Sequence, residues 1–249
     1  MNPNSEEVLG ACTHSPGFIC VKDTLDAPAS FLLPHLLKKT LESGYKAIFV
    51  AVDQSVQHYE RVMRRLMAPL APSIESGNLV MLDWLAGGPL GNLAEHPPSL
   101  KAMHDEIRRN VSELAAGPQS GKIALFVDCM TTLRSLCVEA PVSEWVSFLG
   151  YCRSMMANTP VAFRFVTLVH VDVSDDGQWL NWVEHVADVT ITSQPLELIS
   201  IAEVDGQVIV TQRAGFSGVH QGKIVPSRKL YFRLKDSGIR FVSTIATPV

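Results

Sequence analysis

The chain has 249 residues, of which 47% are apolar and 18% are charged, and its formal net charge is -4. This composition excludes a disordered or fibrous protein, and the length suits one α/β domain with a large buried core. No run of about 18 apolar residues is present to cross a membrane, and the polar, acidic first residues lack the basic start and apolar core of a secretory signal.

Up to residue 186 the chain alternates continuous apolar runs with segments of helical spacing. Such runs are typical of strands buried on both faces of a parallel sheet. The predicted strands are Phe18–Asp23, Lys46–Ser55, Leu79–Leu85, Lys122–Asp128, Phe163–Val173 and Ala187–Gln194. The predicted helices are Phe31–Leu41, Val56–Leu66, Ser99–Ala115, Val142–Met156 and Trp179–Val186. This order predicts an α/β domain with a mainly parallel central sheet.

After residue 186 the pattern changes to strands alone, so we expect residues 187–249 to form an antiparallel hairpin portion of one domain spanning residues 1–249. Leu196–Val204 is expected to pair with Gln207–Arg213 across the tight-turn signal Asp205-Gly206. A second hairpin is expected between Arg228–Lys235 and Ile239–Ile245. At the other end of the domain, residues 1–15 are expected to be a flexible N-terminus.

The turn Thr24–Ser30 lies where a nucleotide-binding α/β domain carries its phosphate loop. When the pattern G-x-x-x-x-G-K-[ST] is placed directly after Asp23, its two glycines fall on Thr24 and Ala29. Its lysine falls on Ser30 and its hydroxyl residue on Phe31. We therefore predict a degenerate phosphate loop that keeps the strand and the helix but does not grip phosphate.

Asp128 ends the strongest predicted strand, at the position where phosphate-loop nucleotidases hold Mg²⁺. The next residue is Cys129 rather than a glutamate that could activate water, so autonomous ATP hydrolysis is not expected. A serine or cysteine hydrolase is excluded by the lack of a G-x-S-x-G elbow. A dinucleotide oxidoreductase is excluded because no G-x-G-x-x-G follows the first strand.

The five cysteines are odd in number and include no C-x-x-C spacing, which suits reduced thiols. They form no paired ligand spacing with the eight histidines, so we expect no metal site and no cofactor. The expected compartment is the cytoplasm, with the nucleus as a further possibility.

The segment from Gln212 to Arg240 is strongly basic. It contains seven basic residues and one acidic residue, a charge of +6 that leaves -10 on the rest of the chain. Such a split indicates a polyanionic partner or an acidic neighbouring subunit. Phosphate binding is one use of the segment, and the candidate contact residues are Arg213, Lys223, Arg228 and Lys229. A solvated face or an acidic subunit interface is the other, and both interpretations stay open.

Several stretches resemble the family of the sixth subunit of the Elongator complex. Ala29–His35 is similar to the family's G-S-F-L-x-H-H loop and helix. Ile48–Ala51 followed by Gln54–Tyr59 is similar to its strand ending near Q-S-F-S-H-Y. Phe148–Arg153 and Val166–His170 add supporting matches, so the similarity covers about the first 170 residues.

The resemblance implies a RecA-like three-layer domain that has lost its phosphate loop and is not itself an enzyme. It further implies a six-membered ring in which this chain alternates with the fourth and fifth Elongator subunits, two copies of each. The ring serves a machine that modifies wobble uridine in tRNA, and the chemistry belongs to a separate catalytic subcomplex. Ala29 departs from the family glycine and Pro34 from a family histidine.

Two other functions remain as alternatives. The first is a subunit of an active ring ATPase that contributes Asp128, or an arginine, across a subunit interface. The second is a free-standing nucleotide-binding regulator, which would be a stable monomer that binds ATP.

Overall fold

The computed structural model describes residues 17–90, 98–117, 121–158, 162–172, 177–196, 204–213, 227–235 and 238–242. Residues 1–15 and Lys223, which carry two of the expectations above, lie outside these ranges. The described strands are β1 (Gly17–Asp23), β2 (Lys46–Ala51), β3 (Leu79–Asp83), β4 (Lys122–Val127), β5 (Ala162–His170), β6 (Val189–Gln194), β7 (Gly206–Gln212), β8 (Arg228–Lys235) and β9 (Gly238–Val242).

The helices are α1 (Leu32–Glu42), α2 (Val56–Arg65), α3 (Leu70–Glu75), α4 (Leu100–Ala116), α5 (Met130–Leu136), α6 (Val142–Asn158) and α7 (Gly177–Val186), with a 3-10 turn at Gly88–Leu90. Two of them, α3 and α5, were not predicted. Each is two turns or shorter, and α3 contains Pro72, so neither is long enough to show a clear helical period.

One sheet holds these strands in the order β3-β2-β4-β5-β1-β6-β7-β8-β9. From β3 to β6 every neighbouring pair is parallel, and β1 lies between β5 and β6. Val21, for example, lies opposite Leu168 on one side and Ile191 on the other. The remaining pairs, from β6 to β9, are antiparallel. The predicted α/β class with a mainly parallel sheet and antiparallel C-terminal hairpins is confirmed.

Helices cover both faces of the parallel part of the sheet, which makes three layers. Side chains alternate along β1: Ile19 and Val21 lie in one apolar cluster, and Phe18 and Cys20 lie in the other. The continuous apolar runs of the sequence follow from this arrangement, because both faces of these strands are buried.

The first apolar cluster packs α1 and α2 against the sheet and continues beneath the C-terminal strands, where Phe31 lies 5.0 Å from Phe232 between ring centroids. The second cluster packs α4, α6 and α7 against the opposite face. Trp145 and Trp179 meet there edge to face, with ring centroids 5.8 Å apart. Both tryptophans are core residues, with at most 1% of either exposed.

The predicted pairing of Leu196–Val204 with Gln207–Arg213 is wrong. Strand β7 pairs with β6, from Val189 opposite Gln212 to Gln194 opposite Gln207, and with β8 on its other edge. Both edges of β7 are therefore taken by β6 and β8, and residues 197–203 of the predicted partner lie outside the described residues. The second predicted hairpin is confirmed, because β8 and β9 pair from Tyr231 opposite Val242 to Lys235 opposite Gly238.

The second strand ends earlier than predicted, at Ala51 rather than Ser55. The amides of the next three residues turn away from the sheet toward the carboxylate of Asp128. Ser55 then caps α2, because its hydroxyl accepts a hydrogen bond from the His58 amide at 3.2 Å. The carboxylate of Asp128, directly after the neighbouring strand β4, therefore marks where this strand stops.

Across the described segments, none of the helices has the length and apolar character needed to cross a lipid bilayer.

Candidate functional site

The carboxyl ends of β1, β2, β4 and β5 lie at the same edge of the sheet, because these strands are parallel. In open α/β sheets this edge is where ligands bind. Asp23 and His170 end β1 and β5, and Asp53 and Asp128 follow closely on β2 and β4. The structure therefore gathers three carboxylates and an imidazole where a nucleotide would sit in a working phosphate-loop protein.

The turn after β1 is closed by its own hydrogen bonds. The Ala27 amide donates to the Thr24 carbonyl at 3.1 Å, and these two residues form an isolated antiparallel bridge. The Ala29 amide donates to Asp23 Oδ2 at 2.7 Å, and Ala29 itself is fully buried. Ser30, at the lysine position of the pattern, is exposed. The turn thus directs at least one of its amides to an internal carboxylate.

Asp128 is bound from several sides by the segment after β2. Its Oδ1 accepts from the Val52 amide at 2.9 Å, and its Oδ2 accepts from the Asp53 and Gln54 amides and the Tyr59 hydroxyl, each at 3.1 Å. Only 2% of Asp128 is exposed. With donors on both oxygens, this carboxyl acts purely as an acceptor, which is the role of its ionised form.

Burial and hydrogen bonding act in opposite directions on this carboxyl. Burial raises the pKa of Asp128 above its ordinary value, and the hydrogen bonds from the amides and from Tyr59 oppose that rise. Burial also raises the pKa of Tyr59, and the negative charge of Asp128 adds to the effect, so the phenol remains a donor. Asp128, which stands where phosphate-loop nucleotidases hold Mg²⁺, therefore ties the end of β4 to the start of α2.

His170 connects the ends of β1 and β5. Its Nδ1 donates to Asp23 Oδ1 at 2.6 Å, and its backbone amide donates to the Thr131 hydroxyl at 2.9 Å. The hydrogen bond to Asp23 raises the pKa of His170 to about 10, with a further contribution from Cys129, while burial works against the rise. The carboxylate of Asp23 thus serves both the imidazole and the Ala29 amide.

Cys129 and Asp53 face the same space as His170. The Cys129 sulfur accepts from the Thr132 amide at 3.3 Å, and the Thr132 hydroxyl donates to Asp53 Oδ1 at 2.7 Å. One ligand-type atom from each of Asp53, Cys129 and His170 lies within 4.8 Å of the other two. Sequence spacing did not reveal this cluster, because its members come from three different strands. The one available signal was that each follows or ends a buried strand.

The predicted basic contact residues do not all come together. The Arg213 guanidinium donates to the His185 carbonyl at the end of α7, and its backbone amide donates to the Asp188 carbonyl at 2.8 Å. Arg228 and Lys229 are exposed at the start of β8. Arg213 is therefore committed at least partly to local structure.

A more compact basic group, which we call the basic face, consists of Lys229, Tyr231, Arg233 and Arg240. The first three alternate along β8, and Arg240 of β9 lies directly opposite Arg233. The three basic side chains are exposed, and the Lys229 amine lies 5.6 Å from the centre of the Tyr231 ring. Like charges directly opposite each other in a sheet are destabilising, so this pair is costly without an anionic partner. The contact candidates predicted from the sequence did not include Arg233 and Arg240, although both lie in the basic segment Gln212–Arg240.

Sequence comparisons match this chain to one protein family over nearly its whole length. The profile of the family described as Elongation complex protein 6 matches residues 9–236. The chain is 28% identical to Elongator complex protein 6 of Danio rerio, with 97% of this chain and 96% of the relative covered. It is 26% identical to Elongator complex protein 6 of Homo sapiens, with 88% and 87% covered.

Solved structures with a similar fold are distant in sequence. The flagellar accessory protein FlaH from Methanocaldococcus jannaschii superposes with a TM-score of 0.66 at 15% identity, covering 93% of this chain and 92% of that one. A KaiC-like protein from Pyrococcus horikoshii superposes with a TM-score of 0.61 at 13% identity, covering 90% and 89%. At these sequence identities the structural similarity supports a RecA-like fold and does not indicate a shared function.

Proposed function

Because the chain belongs to the Elongation complex protein 6 family, we propose that it is a non-catalytic subunit of the Elongator complex. In this proposal it supports wobble-uridine modification of tRNA by building a ring. The ring alternates this chain with the fourth and fifth Elongator subunits, two copies of each, and works beside the catalytic subcomplex. The chain itself contributes surfaces rather than reacting groups.

The hydrogen bonding of Asp128 is the observation that carries this proposal. A catalytic acid that holds Mg²⁺ needs an oxygen facing the nucleotide or its water. Here both oxygens already accept hydrogen bonds from backbone amides, and one also accepts from Tyr59. Binding a metal ion at Asp128 would require these donors to be given up inside the protein, where unpaired donors are costly.

The turn after β1 supports the same conclusion. A phosphate loop offers free backbone amides and a lysine to the anion. In this chain the Ala29 amide is bound to Asp23, and Ser30 stands at the lysine position.

Ring assembly and nucleotide hydrolysis can be tested together. We expect the chain co-expressed with the fourth and fifth subunits to purify as a hetero-hexamer by native mass spectrometry. We expect the isolated chain to show no ATP turnover above a heat-denatured sample, because both oxygens of Asp128 already accept hydrogen bonds from within the protein. A chain that stays monomeric and binds ATP in calorimetry would overturn the proposal in favour of a free-standing regulator.

A second function, contact with RNA, is favoured by the basic face. Arg233 lies directly opposite Arg240, and Lys229 continues the charge along the same side of β8. Tyr231 between them offers a ring on which a base could stack. Phosphates would compensate the repulsion between the two arginines, so we propose that this face contacts tRNA within the assembled ring. An acidic protein neighbour is the competing occupant.

Charge removal distinguishes these occupants. We expect Lys229→Ala, Arg233→Ala and Arg240→Ala together to weaken tRNA binding by the ring about tenfold and to make the salt dependence less steep by about 2 units of log K per log salt. Fluorescence anisotropy across a salt series measures both.

The matched control removes the same charge from Arg61, Arg64 and Arg65 on α2, next to the opposite end of the sheet. It should leave tRNA binding unchanged. Unaltered binding by the basic-face variant in an intact ring contradicts RNA contact, and a ring that falls apart indicates a protein neighbour.

A further inference from the structure

The edge of the sheet that has lost its phosphate loop gathers three side chains of types that bind transition metals. Asp53, Cys129 and His170 follow or end three different strands, and their ligand-type atoms lie within 4.8 Å of one another. Cys129 is almost completely buried, and the other two are partly exposed. We propose that Asp53, Cys129 and His170 form a Zn²⁺ site. This inference does not depend on the proposed function.

The chemistry of the three groups favours zinc over other common ions. Zn²⁺ accepts mixed sulfur, nitrogen and oxygen ligands, whereas Mg²⁺ and Ca²⁺ prefer oxygen ligands only. A set of one thiolate, one imidazole and one carboxylate leaves the fourth tetrahedral position for water or an external ligand. Partial exposure of Asp53 and His170 leaves that position a route to solvent.

The hydrogen bond between Asp23 and His170 is the second observation that supports the site. Ligating histidines generally donate their other ring nitrogen to a carboxylate, which orients the ring and raises its basicity. Here Nδ1 of His170 is held by Asp23 at 2.6 Å, so Nε2 is the nitrogen available to the ion. Asp23 is itself fixed by the Ala29 amide. The imidazole ring is therefore already held in the orientation in which Nε2, once deprotonated, can bind zinc.

The remaining two ligands are also held in place. The Thr132 hydroxyl binds Asp53 Oδ1 at 2.7 Å, and the Thr132 amide binds the Cys129 sulfur at 3.3 Å. Zinc bonds of about 2.0–2.3 Å would bring the ligand atoms to within about 3.3–3.8 Å of one another, so the cluster has to contract by about 1 Å. Side-chain rotations of Asp53 and His170, which are both partly exposed, would have to supply this movement. Binding releases protons, because the thiol and Nε2 must both be unprotonated.

Cobalt spectroscopy of the full-length chain tests the proposal without any substitution. The chain is stripped with a chelator, kept in a phosphine reductant so that no added thiol competes, and titrated with Co²⁺. We expect a thiolate-to-cobalt charge-transfer band and intense visible bands of a tetrahedral ion, saturating at one equivalent. Zn²⁺ should displace the cobalt and abolish both the charge-transfer band and the visible bands. If the charge-transfer band does not form, or Zn²⁺ does not displace the cobalt, the site does not exist.

Single substitutions then assign the ligands. We expect Cys129→Ser to remove the charge-transfer band, and both Cys129→Ser and His170→Gln to weaken Zn²⁺ binding at least 100-fold in competition with a chromophoric chelator. Asp23→Asn should weaken it about 10- to 100-fold, as for other residues that orient a ligand. The matched controls are Cys137→Ser and His185→Gln, which lie outside the cluster and should bind zinc like the unmodified chain.

Folding is checked by circular dichroism, and the thermal midpoint gives a readout that does not rely on absorbance. Zinc should raise the midpoint of the unmodified chain and of both controls but not that of Cys129→Ser. A charge-transfer band that persists in Cys129→Ser, or undiminished zinc affinity in both ligand variants, would overturn the assignment.

Discussion

Replacing Asp128 with asparagine is expected to lower the free energy of unfolding by about 3 kcal/mol. The carboxylate accepts from the amides of Val52, Asp53 and Gln54 and from the Tyr59 hydroxyl. Asparagine keeps one acceptor oxygen and points an NH₂ group at donors, so at least one buried N–H or O–H loses its partner. The segment that joins β2 to α2 would lose part of its attachment to the end of β4.

Urea denaturation followed by circular dichroism measures this loss. Asp26→Asn is the matched control, because Asp26 is exposed in the turn after β1 and should change stability by less than about 0.5 kcal/mol. If the Asp128 variant were as stable as the control, the structural role of this carboxylate would be refuted. If the variant instead reduced ATP turnover by the ring at unchanged stability, the active-ATPase alternative would replace the proposed function.

Gly206→Ala is expected to lower the free energy of unfolding by about 2 kcal/mol, through a clash in the C-terminal strands. A Cβ at this position would lie 2.5 Å from Cζ and 2.8 Å from Cε1 of Phe232. The Phe232 ring is only 4% exposed and packs against Phe31, so it has little room to withdraw. The clash therefore has to be absorbed by shifting β7 against β8, where Gly206 lies opposite Phe232.

Gly150→Ala is the matched control for this substitution. Gly150 is exposed within α6, and a Cβ there would meet nothing within 4 Å. Alanine is a better helix former than glycine, so the free energy of unfolding of this variant should rise by up to about 1 kcal/mol. If urea denaturation shows a lower free energy of unfolding for Gly206→Ala and a higher one for Gly150→Ala, the result would support the packing described for Phe232. A Gly206→Ala variant as stable as the parent would show that the contact is more tolerant than the structure indicates.

The carboxyl edge of the parallel sheet uses its polar groups internally. Asp128 holds the segment after β2, and Asp23 holds both the turn after β1 and His170. Where a RecA-like ATPase directs amides and acids at a nucleotide, the corresponding groups of this chain bind one another. This internal use is compatible with a ring subunit that keeps the fold for its surfaces.

Much of the fold followed from local sequence patterns. Continuous apolar runs and helical spacing identified β1, β4, β5, α1, α4 and α6, because burial on both faces of a strand, or along one stripe of a helix, leaves a period that the sequence displays directly. The same patterns missed α3 and α5, which are too short to show a period. The missing glycines and lysine between Thr24 and Ser30 were also visible without coordinates.

What the tertiary structure alone decided is which distant groups meet. The partner of β7 is β6 rather than the segment just before it, because strand order depends on packing across the sheet and not on the nearest turn signal. The bonds of Asp128 and the meeting of Asp53, Cys129 and His170 depend on the order β2-β4-β5, which brings together residues far apart in the chain. The sequence by itself determined the elements, the degenerate turn and the family resemblance. The neighbours of each polar side chain required the folded sheet, because hydrogen bonds between strands leave no periodic signal in the sequence.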